Sequence, residues 1–407
     1  MAGPLGHVRV LELSRVLAGP WAAQTLADLG ASVIKVERPG AGDDTRAFAP
    51  PYARDADGNP SSESAYFLST NRGKRSVTID FTHPEGQKLV QALAAQSDVL
   101  IENFKVDGLA RYGLDYPALA ARNPGLVYCS ITGFGQTGPY RHKPGYDFMI
   151  QGIGGLMSIT GEPDAHPGGG PVKVGVAVAD IFTGLYATIA ILGALAHRER
   201  TGAGQHIDLA LLDTQVAVLA NQAMNYLVSG AAPQRMGNAH PNIVPYQAFA
   251  ASDGHFIVAV GNEGQFARMC EVIGRPELVN DERFATNAAR VNNREEMIAI
   301  LHEIFLTRTK RQWLDELEGL GVPCGPINTI ADVFADPQVR ARELRLELPH
   351  PAIGSVPSVA NPIKYSATPL AYAAAPPMLG ADTEQVLRDM LSLGTEEIAR
   401  LRRAGVV

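Results

Sequence analysis

One acidic residue interrupts the longest apolar stretch of the chain. Between residues 174 and 196 the only charged side chain is that of Asp180, and the pattern predicts a helix that ends near residue 200. A buried carboxylate is unstable unless it is hydrogen-bonded or neutralised. Asp180 can therefore cap free N–H groups of the first helical turn, or act as a nucleophile that the helix N-terminus keeps ionised and aimed outward. The residues alone favour the cap, and one carboxylate can fill both roles.

The same stretch is long enough to cross a bilayer, for which about 20 apolar residues suffice. It contains Gly175, Gly184 and Asp180, and the sequence holds no second apolar span of that length. The N-terminus also lacks the basic start and long apolar run of a signal peptide. We therefore predict a helix buried in a core or a subunit interface, in a protein that does not bind membranes.

The composition is that of a folded enzyme with a sizeable core. The chain has 407 residues, of which 46% are hydrophobic and 19% charged, and this length allows two domains. The net charge of -7 argues against nucleic acid as a partner, but it allows a basic pocket for an anionic ligand. Cys129, Cys270 and Cys324 are isolated and odd in number, so we expect neither a disulfide framework nor a zinc site. These features predict a cytoplasmic location.

The N-terminal third alternates between strand and helix patterns. Residues 7–39 are predicted to form a strand, a helix and a strand, the unit that builds parallel sheets. The first turn, SRVLAGP, lacks the GxGxxG fingerprint, so dinucleotide binding is not supported. The alternation continues to about residue 135 and predicts an open, Rossmann-like α/β sheet, whose ligands bind beyond the carboxyl ends of its strands. Arg38, Asn103 and Phe104 follow directly after predicted strands.

The character of the sequence changes after the central helix. We predict a strand and a long helix up to residue 228, a hairpin around residues 253–254, and helices at about 263–273, 293–306 and 310–319. This order predicts a large domain over residues 1–228, a smaller α+β domain over 229–330, and a C-terminal segment over 331–407 that returns to the large domain. The spacing of Thr82 and Glu85 predicts a capping box. The tail from about Asn361 is predicted to be a proline-rich extended segment, followed by a helix that residues 382–385 open.

Eight segments, collinear and spread over nearly the whole chain, resemble the class III CoA-transferases of the formyl-CoA and carnitine CoA-transferase type. They are LAGPWAAQTLADLGASVIKVERPGAGDDTR, NRGKRSVTIDF, IENF, YDFMIQGIGGLMSITG, VADIFTG, RTGAGQHIDLALLD, GVPCGPINT and PPMLGADTEQVL. Each segment alone is a weak signal, whereas eight in order are specific; GADT stands where members often have GEHT. The resemblance implies an interlocked homodimer with the active site between the large domain of one subunit and the small domain of the other.

The resemblance also implies a chemistry for Asp180, which in VADIFTG matches the family's aspartate. Its carboxylate would attack an acyl-CoA to give a mixed anhydride, and the expelled CoA thiolate would then form an enzyme-CoA thioester and free the donor acid. The acceptor acid would reverse these steps. A coenzyme A thioester would thus be a substrate, and neither ATP, a metal nor a prosthetic group is expected.

Further residues carry over position by position. The resemblance implies CoA contacts at Arg38, Asn103, Phe104, Arg111, Lys143 and Tyr146. Lys143 is a shifted match, three residues before the tyrosine instead of two, and Thr82 stands where the family has another lysine. Asp147 replaces a family glutamate beside the nucleophile. The N–H groups of Gly152, Gly154 and Gly155 would serve an oxyanion, or these glycines would only allow close packing; both roles stay open.

The loop at residues 235–241 resembles that of members acting on four- to six-carbon dicarboxylic acids with succinyl-CoA as donor. Arg235 or His240 would hold the distal carboxylate, with Asn238 on the same loop. A surface histidine is the alternative for His240.

Three other functions agree with parts of the sequence. A 2-methylacyl-CoA racemase of the same superfamily needs an acid/base pair, and the tyrosine at position 146 stands where that group has a histidine. Formyl-CoA:oxalate transfer would use a glycine-run loop that this chain replaces. Pure CoA binding would not require Asp180, so transfer is favoured.

Overall fold

The computed structural model of the protein describes residues 3–55, 57–372 and 374–407. The strands in these residues are β1 (Arg9–Glu12), β2 (Ser32–Glu37), β3 (Tyr52–Arg54), β4 (Pro60–Ser64), β5 (Lys74–Thr78), β6 (Val99–Glu102), β7 (Val127–Thr132), β8 (His206–Ala210), β9 (Tyr246–Ala251), β10 (Gly254–Ala259), β11 (Cys324–Pro326), β12 (Arg345–His350) and β13 (Gly354–Val359).

The α-helices of the same residues are α1 (Ala18–Asp28), α2 (Ala65–Thr70), α3 (Pro84–Ala95), α4 (Tyr116–Ala120), α5 (Asp147–Ile153), α6 (Leu156–Ile159), α7 (Val178–Thr201), α8 (Leu211–Ala217), α9 (Ala220–Ser229), α10 (Glu263–Val272), α11 (Asn287–Asn292), α12 (Arg294–Phe305), α13 (Lys310–Gly319), α14 (Ile330–Ala335), α15 (Pro337–Ala341), α16 (Thr383–Leu391) and α17 (Thr395–Arg403). Short 3-10 helices lie at Asp44–Ala47, Ala110–Tyr112 and Pro276–Val279.

The main sheet has six parallel strands in the order β5, β2, β1, β6, β7, β8. Its central strands β6 and β7 are buried along their whole length, because helices cover both faces of a sheet built from strand–helix–strand units. The predicted open α/β parallel sheet is therefore confirmed.

Two apolar layers fix the helices on this sheet. On one face α1 and α7 pack together, with Leu26 and Ile191 in the same buried cluster as Val99. On the other face α3, α16 and α17 bury Leu93 and Leu387 against the sheet. The C-terminal helices therefore return to the sheet that the N-terminal third builds.

The strand order reverses next to β1, because the chain proceeds from β1 to β2 on one side and later adds β6 on the other. The turns that follow β1 and β6 consequently diverge and leave a crevice at their carboxyl ends. Asn103, directly after β6, joins the two turns: its amide oxygen accepts the Arg15 N–H at 2.9 Å and its amide nitrogen donates to the Arg15 carbonyl at 2.7 Å.

The chain divides into two compact units. The first contains the residues up to Leu156, Val174–Ala223 and Gln338–Val407, and the second contains Met157–Lys173 and Met224–Pro337. The second unit has the antiparallel sheet β11-β10-β9 and its own core, in which Phe305 stacks edge-on against Trp313. The hairpin β9-β10 confirms the one predicted from the sequence.

The second unit begins and ends close to the predicted boundaries at residues 228 and 330, at Met224 and Pro337, but it also includes an earlier segment. Met157–Lys173 belongs to the second unit, where the Gly237 N–H donates to the Gly161 carbonyl at 3.0 Å. A long-range backbone contact of this kind leaves no local pattern in the sequence.

Two predicted helix caps need correction. Helix α7 begins at Val178 with Ala177 as its N-cap, so Asp180 lies inside the first turn and the cap prediction was wrong. Helix α3 is capped by His83, whose Nδ1 accepts the Glu85 N–H at 3.2 Å, and not by a Thr82 capping box. The predicted helix start at residues 382–385 is confirmed, since α16 begins at Thr383 with Asp382 as its N-cap residue; the Asp382 carboxylate accepts the Ser76 N–H at 2.9 Å.

The predicted long helix after β8 is two helices, α8 and α9. The break comes at Ala220, which has a φ of 47°, a left-handed conformation that a helix does not continue.

Helix α7 is the one helix of the described residues that is long and apolar enough to cross a membrane. A single helix of this kind is weak evidence for a span, because core helices have the same composition. One side of α7 is buried, and large apolar side chains on the other side are exposed to solvent in the single chain. They include Phe182, Leu185, Tyr186 and Ile189.

Candidate active site

A cleft with a volume of about 520 Å³ lies at the carboxyl ends of β1, β6 and β7. Its wall contains residues 15–18 after β1, residues 103–106 after β6, and residues 131–133 at the end of β7, together with Tyr146 and Asp180. All of these residues belong to the first unit. The cleft has the size typical of small-molecule sites and occupies the position that the strand order predicts.

A second cavity of about 370 Å³ adjoins the cleft and shares Arg15 and Phe104 with it. Arg38 lines this cavity. The Phe104 ring packs edge-on against Phe81, with 5.6 Å between ring centroids, and the Arg15 guanidinium lies 5.4 Å from the same ring. An aromatic wall flanked by arginines is suited to a ligand that combines a planar ring with negative charge.

The cleft is cationic although the protein carries a net charge of -7. Its basic lining residues are Arg15, Lys105, Arg111, Arg141 and Lys143. The acidic lining residues are Asp44 and Asp180. Concentrating cations in one cleft raises the local concentration of anionic ligands and offers partners for phosphate groups.

Asp180 projects from the first turn of α7, and its side chain is half-buried. None of the residues that the structure describes donates a hydrogen bond or a salt bridge to its carboxylate. Burial, together with the negative charge of Asp147, raises the pKa of Asp180 to about 7. A carboxylate without a partner, poised near neutral pH in a cleft, is a candidate nucleophile or base.

Asp147 has a different environment, although it lies beside Asp180. One oxygen accepts the Ala179 N–H at 2.8 Å, so Asp147 caps α7 from a neighbouring helix. Its other oxygen accepts a hydrogen bond from Gln151 Nε2 at 2.7 Å. Gln151 is buried and its Oε1 accepts the Val174 N–H at 2.9 Å. Two adjacent carboxylates thus have separate roles, one holding the helix start and one left available for chemistry.

The structure brings together most of the residues carried over from the sequence. Asp180, Asn103, Phe104, Arg111, Lys143 and Tyr146 line the cleft, and Arg38 lines the adjoining cavity. Tyr146 is 69% exposed and therefore accessible to a ligand. Both polar atoms of the Asn103 amide are already used by the Arg15 backbone, so this side chain shapes the cleft wall.

The glycines proposed for an oxyanion are not part of the cleft lining. Gly154 ends helix α5 and donates its N–H to the Ile150 carbonyl at 2.7 Å. A Cβ at this position would lie only 2.4 Å from Cγ of Gln215, so Gly154 is needed for close packing. Gly155 follows it with a φ of 86° and also donates its N–H to a backbone carbonyl.

Arg235, Asn238 and His240 belong to the second unit. Arg235 donates to the Asp164 carboxylate and, at 3.3 Å, to the Glu162 carbonyl. Asn238 is exposed. His240 packs on Tyr246, and burial together with the charge of Arg294 lowers its pKa, which disfavours the protonated imidazolium.

The sequence did not predict three residues in or near the site, Tyr66, Arg15 and Gln151. Burial and the charges of Asp180 and Asp147 raise the pKa of Tyr66, which places its phenol within electrostatic reach of both carboxylates. No local signal marks Tyr66. Arg15 lies in the turn that follows β1, three residues after the strand ends at Glu12, so the strand-end rule could have found it. Gln151 lies four residues after Asp147 on one helix, a spacing that places side chains in contact.

Known proteins resemble this chain over almost its whole length. A family model described as CoA-transferase family III matches residues 5–383. Succinate–glutarate CoA-transferase of Agrobacterium fabrum is 56% identical over 387 residues, which cover 95% of this chain and 96% of that protein. The human succinyl-CoA:glutarate CoA-transferase is 45% identical over 99% of this chain and 90% of its own length. A crystal structure of a CAIB/BAIF family protein from Brucella suis superposes with a TM-score of 0.84 at 54% identity, covering 96% of this chain and 100% of that one.

Proposed function

The chain belongs to CoA-transferase family III, and we propose that it moves coenzyme A from succinyl-CoA to glutarate or another short dicarboxylate through covalent intermediates on Asp180. The observation that carries this mechanism is the Asp180 carboxylate, which none of the described residues hydrogen-bonds, in the wall of a cationic cleft. Its pKa of about 7 means that a large fraction is ionised at neutral pH while the group stays reactive.

The reaction would proceed through two kinds of covalent intermediate on Asp180, a mixed anhydride and a CoA thioester. An Asp180 oxygen attacks the acyl carbon of succinyl-CoA and the C–S bond breaks. This step forms a mixed anhydride between Asp180 and the succinyl group and releases CoA as a thiolate. The thiolate attacks the aspartyl carbon, which gives an enzyme-CoA thioester and releases succinate. The acceptor carboxylate attacks this thioester, and the thiolate that it expels attacks the acceptor's acyl carbon, so the new acyl-CoA leaves and Asp180 is restored.

Coenzyme A would bind along the cleft and the adjoining cavity. The cations supply partners for its phosphates, and the wall formed by Phe104 and Phe81 suits its adenine. The phosphates and the aromatic ring fix the thioester relative to Asp180, which lowers the entropic cost of the first attack. Asp147 supports the nucleophile by capping α7, while its negative charge contributes to the raised pKa of Asp180.

The choice of a dicarboxylate rests on the relatives, whose printed names specify succinate and glutarate. Within the second unit we assign the distal carboxylate to Arg235, whose present partner Asp164 is exposed and exchangeable. His240 is less suited to this role, because its lowered pKa disfavours the charged imidazolium that would bind a carboxylate. Replacement Arg235→Gln should raise the KM for glutarate, whereas Arg311→Gln, an exposed arginine of the same unit, should leave it unchanged.

We also propose a homodimer, interlocked as the sequence resemblance implies. The exposed apolar face of α7 supports an interface, because large apolar side chains rarely form a continuous solvent-exposed stripe on a monomer. Light scattering should give twice the chain mass. We further propose that the protein is cytoplasmic and works without a bound prosthetic group or metal. Mass and metal analysis of the purified protein would test for a bound group or metal.

The decisive experiment combines an acyl-CoA and acid panel with mass analysis of trapped enzyme. Wild type given succinyl-CoA and glutarate should form glutaryl-CoA and carry a CoA adduct on the peptide that contains Asp180. Asp180→Ala should do neither, while Asp389→Asn, an exposed aspartate on α16, should behave as wild type. Exchange of the α-hydrogen of a 2-methylacyl-CoA without any adduct would instead indicate the racemase.

A further inference from the structure

The turn between β1 and α1 contains a strained residue. Val16 has a φ of 72°, in the left-handed region that β-branched side chains avoid. Such a conformation persists only where the surrounding structure imposes it, and it clusters at functional sites. Arg15, Val16 and Leu17 all line the cleft that contains Asp180. The strain therefore lies in the wall of the candidate active site.

Two side chains from other segments hold this turn. Asn103 binds the backbone of Arg15 at both its N–H and its carbonyl, at 2.9 and 2.7 Å. Asp43, in the loop after β2, accepts the next N–H along the chain, that of Val16, with its two oxygens at 3.2 and 3.3 Å. Two consecutive peptide groups are thus anchored to side chains that come from either side of β1.

Asp43 is itself anchored by buried partners. Lys35 Nζ lies 2.9 Å from Asp43 Oδ2 and donates to the Ser14 carbonyl at 2.9 Å, so one ammonium group binds both the carboxylate and the start of the turn. The N–H and hydroxyl of Thr45 donate to Asp43 Oδ1 at 2.9 and 2.8 Å. The side chains of Lys35 and Asp43 are each only 1% exposed.

These contacts keep Asp43 ionised. Burial alone would raise the pKa of Asp43, but the ammonium of Lys35 and the Thr45 donors lower it to about 2. Every group that faces the carboxylate from Val16, Lys35 and Thr45 is a hydrogen-bond donor. An amide in its place would have to turn its NH2 group toward one of these donors.

We propose that Asp43, anchored by Lys35, is a positioning residue that imposes the left-handed conformation of Val16 and so keeps the acyl-CoA cleft preformed. This rests on the proposed function for the identity of the ligand. Without the carboxylate, Val16 relaxes toward the extended region and the wall formed by residues 15–17 moves. The ligand then has to restore the turn when it binds, which weakens binding but leaves the chemistry at Asp180 in place.

The test measures CoA affinity by calorimetry and the KM and kcat for succinyl-CoA on the full-length enzyme. Asp43→Asn should weaken CoA binding and raise KM by about tenfold or more, as expected for a lost hydrogen bond to a charged group, with kcat changed much less. Asp28→Asn is the matched control, since Asp28 is a buried carboxylate paired with Arg72 outside the cleft. It should lower thermal stability without changing CoA affinity.

Val16→Gly separates positioning from stability, because glycine adopts a positive φ without steric cost. In the Val16→Gly background, Asp43→Asn should weaken CoA binding clearly less than it does in the wild-type background. An equal loss in both backgrounds, or unchanged CoA affinity in Asp43→Asn, would overturn the proposal. So would a wild type that does not bind CoA. A wild-type enzyme that binds CoA but transfers none would refute the proposed function. The positioning role of Asp43 would still be decided by comparing the effect of Asp43→Asn on CoA affinity in the wild-type and Val16→Gly backgrounds.

Discussion

Replacing Asp180, the proposed nucleophile, should stabilise the protein by an amount that depends on pH. Asp180 has a pKa of about 7 in the folded protein against 3.8 for an ordinary aspartate. Because the folded state binds this proton more tightly than the unfolded state, the contribution of Asp180 to stability is fully present below pH 3.8 and is lost as the pH rises to 7. Asp180→Asn removes the ionisable group and therefore also the loss of stability that its ionisation causes.

The magnitude follows from the pKa gap of about three units. Each unit corresponds to about 1.4 kcal/mol, so at pH 8 the free energy of unfolding of Asp180→Asn should exceed that of wild type by on the order of 4 kcal/mol at most. At pH 5 the gain should be about a third of this, and below pH 4 it should vanish. The gain is large because burial is the main cause of the shift and no cation compensates for it within the described residues.

Urea unfolding from pH 5 to pH 8.5 would measure this gain. The fluorescence of Trp21 reports the first unit, since this side chain packs against Gly184 of α7, and Trp313→Phe removes the tryptophan of the second unit. Asp43→Asn is a control of opposite sign, because the pKa of Asp43 is lowered to about 2 and its ionised form stabilises the fold above pH 3.8. Equal stability of Asp180→Asn and wild type at pH 8, or a gain that does not change with pH, would refute the reasoning.

Three further predictions concern catalysis. The kcat/KM of wild type should fall about tenfold per pH unit below pH 7, as Asp180 becomes protonated, in a profile recorded from pH 5.5 to 8.5; a flat profile would contradict an aspartate nucleophile with this pKa. Asp147→Asn should shift the acidic side of this pH profile to lower pH, because it removes a negative charge beside Asp180. An unshifted profile would leave burial as the sole cause of the raised pKa of Asp180. Arg15→Gln should raise the KM for acyl-CoA more at low than at high salt, whereas Lys88→Gln, an exposed lysine outside the cleft, should not.

Much of the first unit was predictable because its signals are local. Apolar runs separated by helical patterns identified β1, α1, β2, β6 and β7, and the alternation of strand and helix implied a parallel sheet. The strand-end rule then placed Asn103 and Phe104 at the crevice. The single acid in an apolar stretch drew attention to Asp180, and the collinear segments indicated the family to which the chain belongs.

Other features depend on contacts between distant residues. The sequence predicted that Asp180 caps its own helix, whereas Asp147, more than thirty positions earlier, supplies the carboxylate. Met157–Lys173 likewise packs with the second unit through contacts with residues far along the chain. The cap of α3 was missed for a local reason: the Thr82 hydroxyl donates to Asp80, and His83 Nδ1 accepts the Glu85 N–H.

The sequence by itself determined the α/β class and the family and singled out Asp180 as a candidate nucleophile, because hydrophobic period, strand ends and motif order are properties of consecutive residues. Only the tertiary structure decided which of two neighbouring carboxylates is held and which is left available. The same is true of the strained Val16, whose conformation depends on Asp43 and Asn103 from other loops. Hydrogen bonds and burial set the pKa values and backbone strain, and both arise only when distant parts of the chain meet.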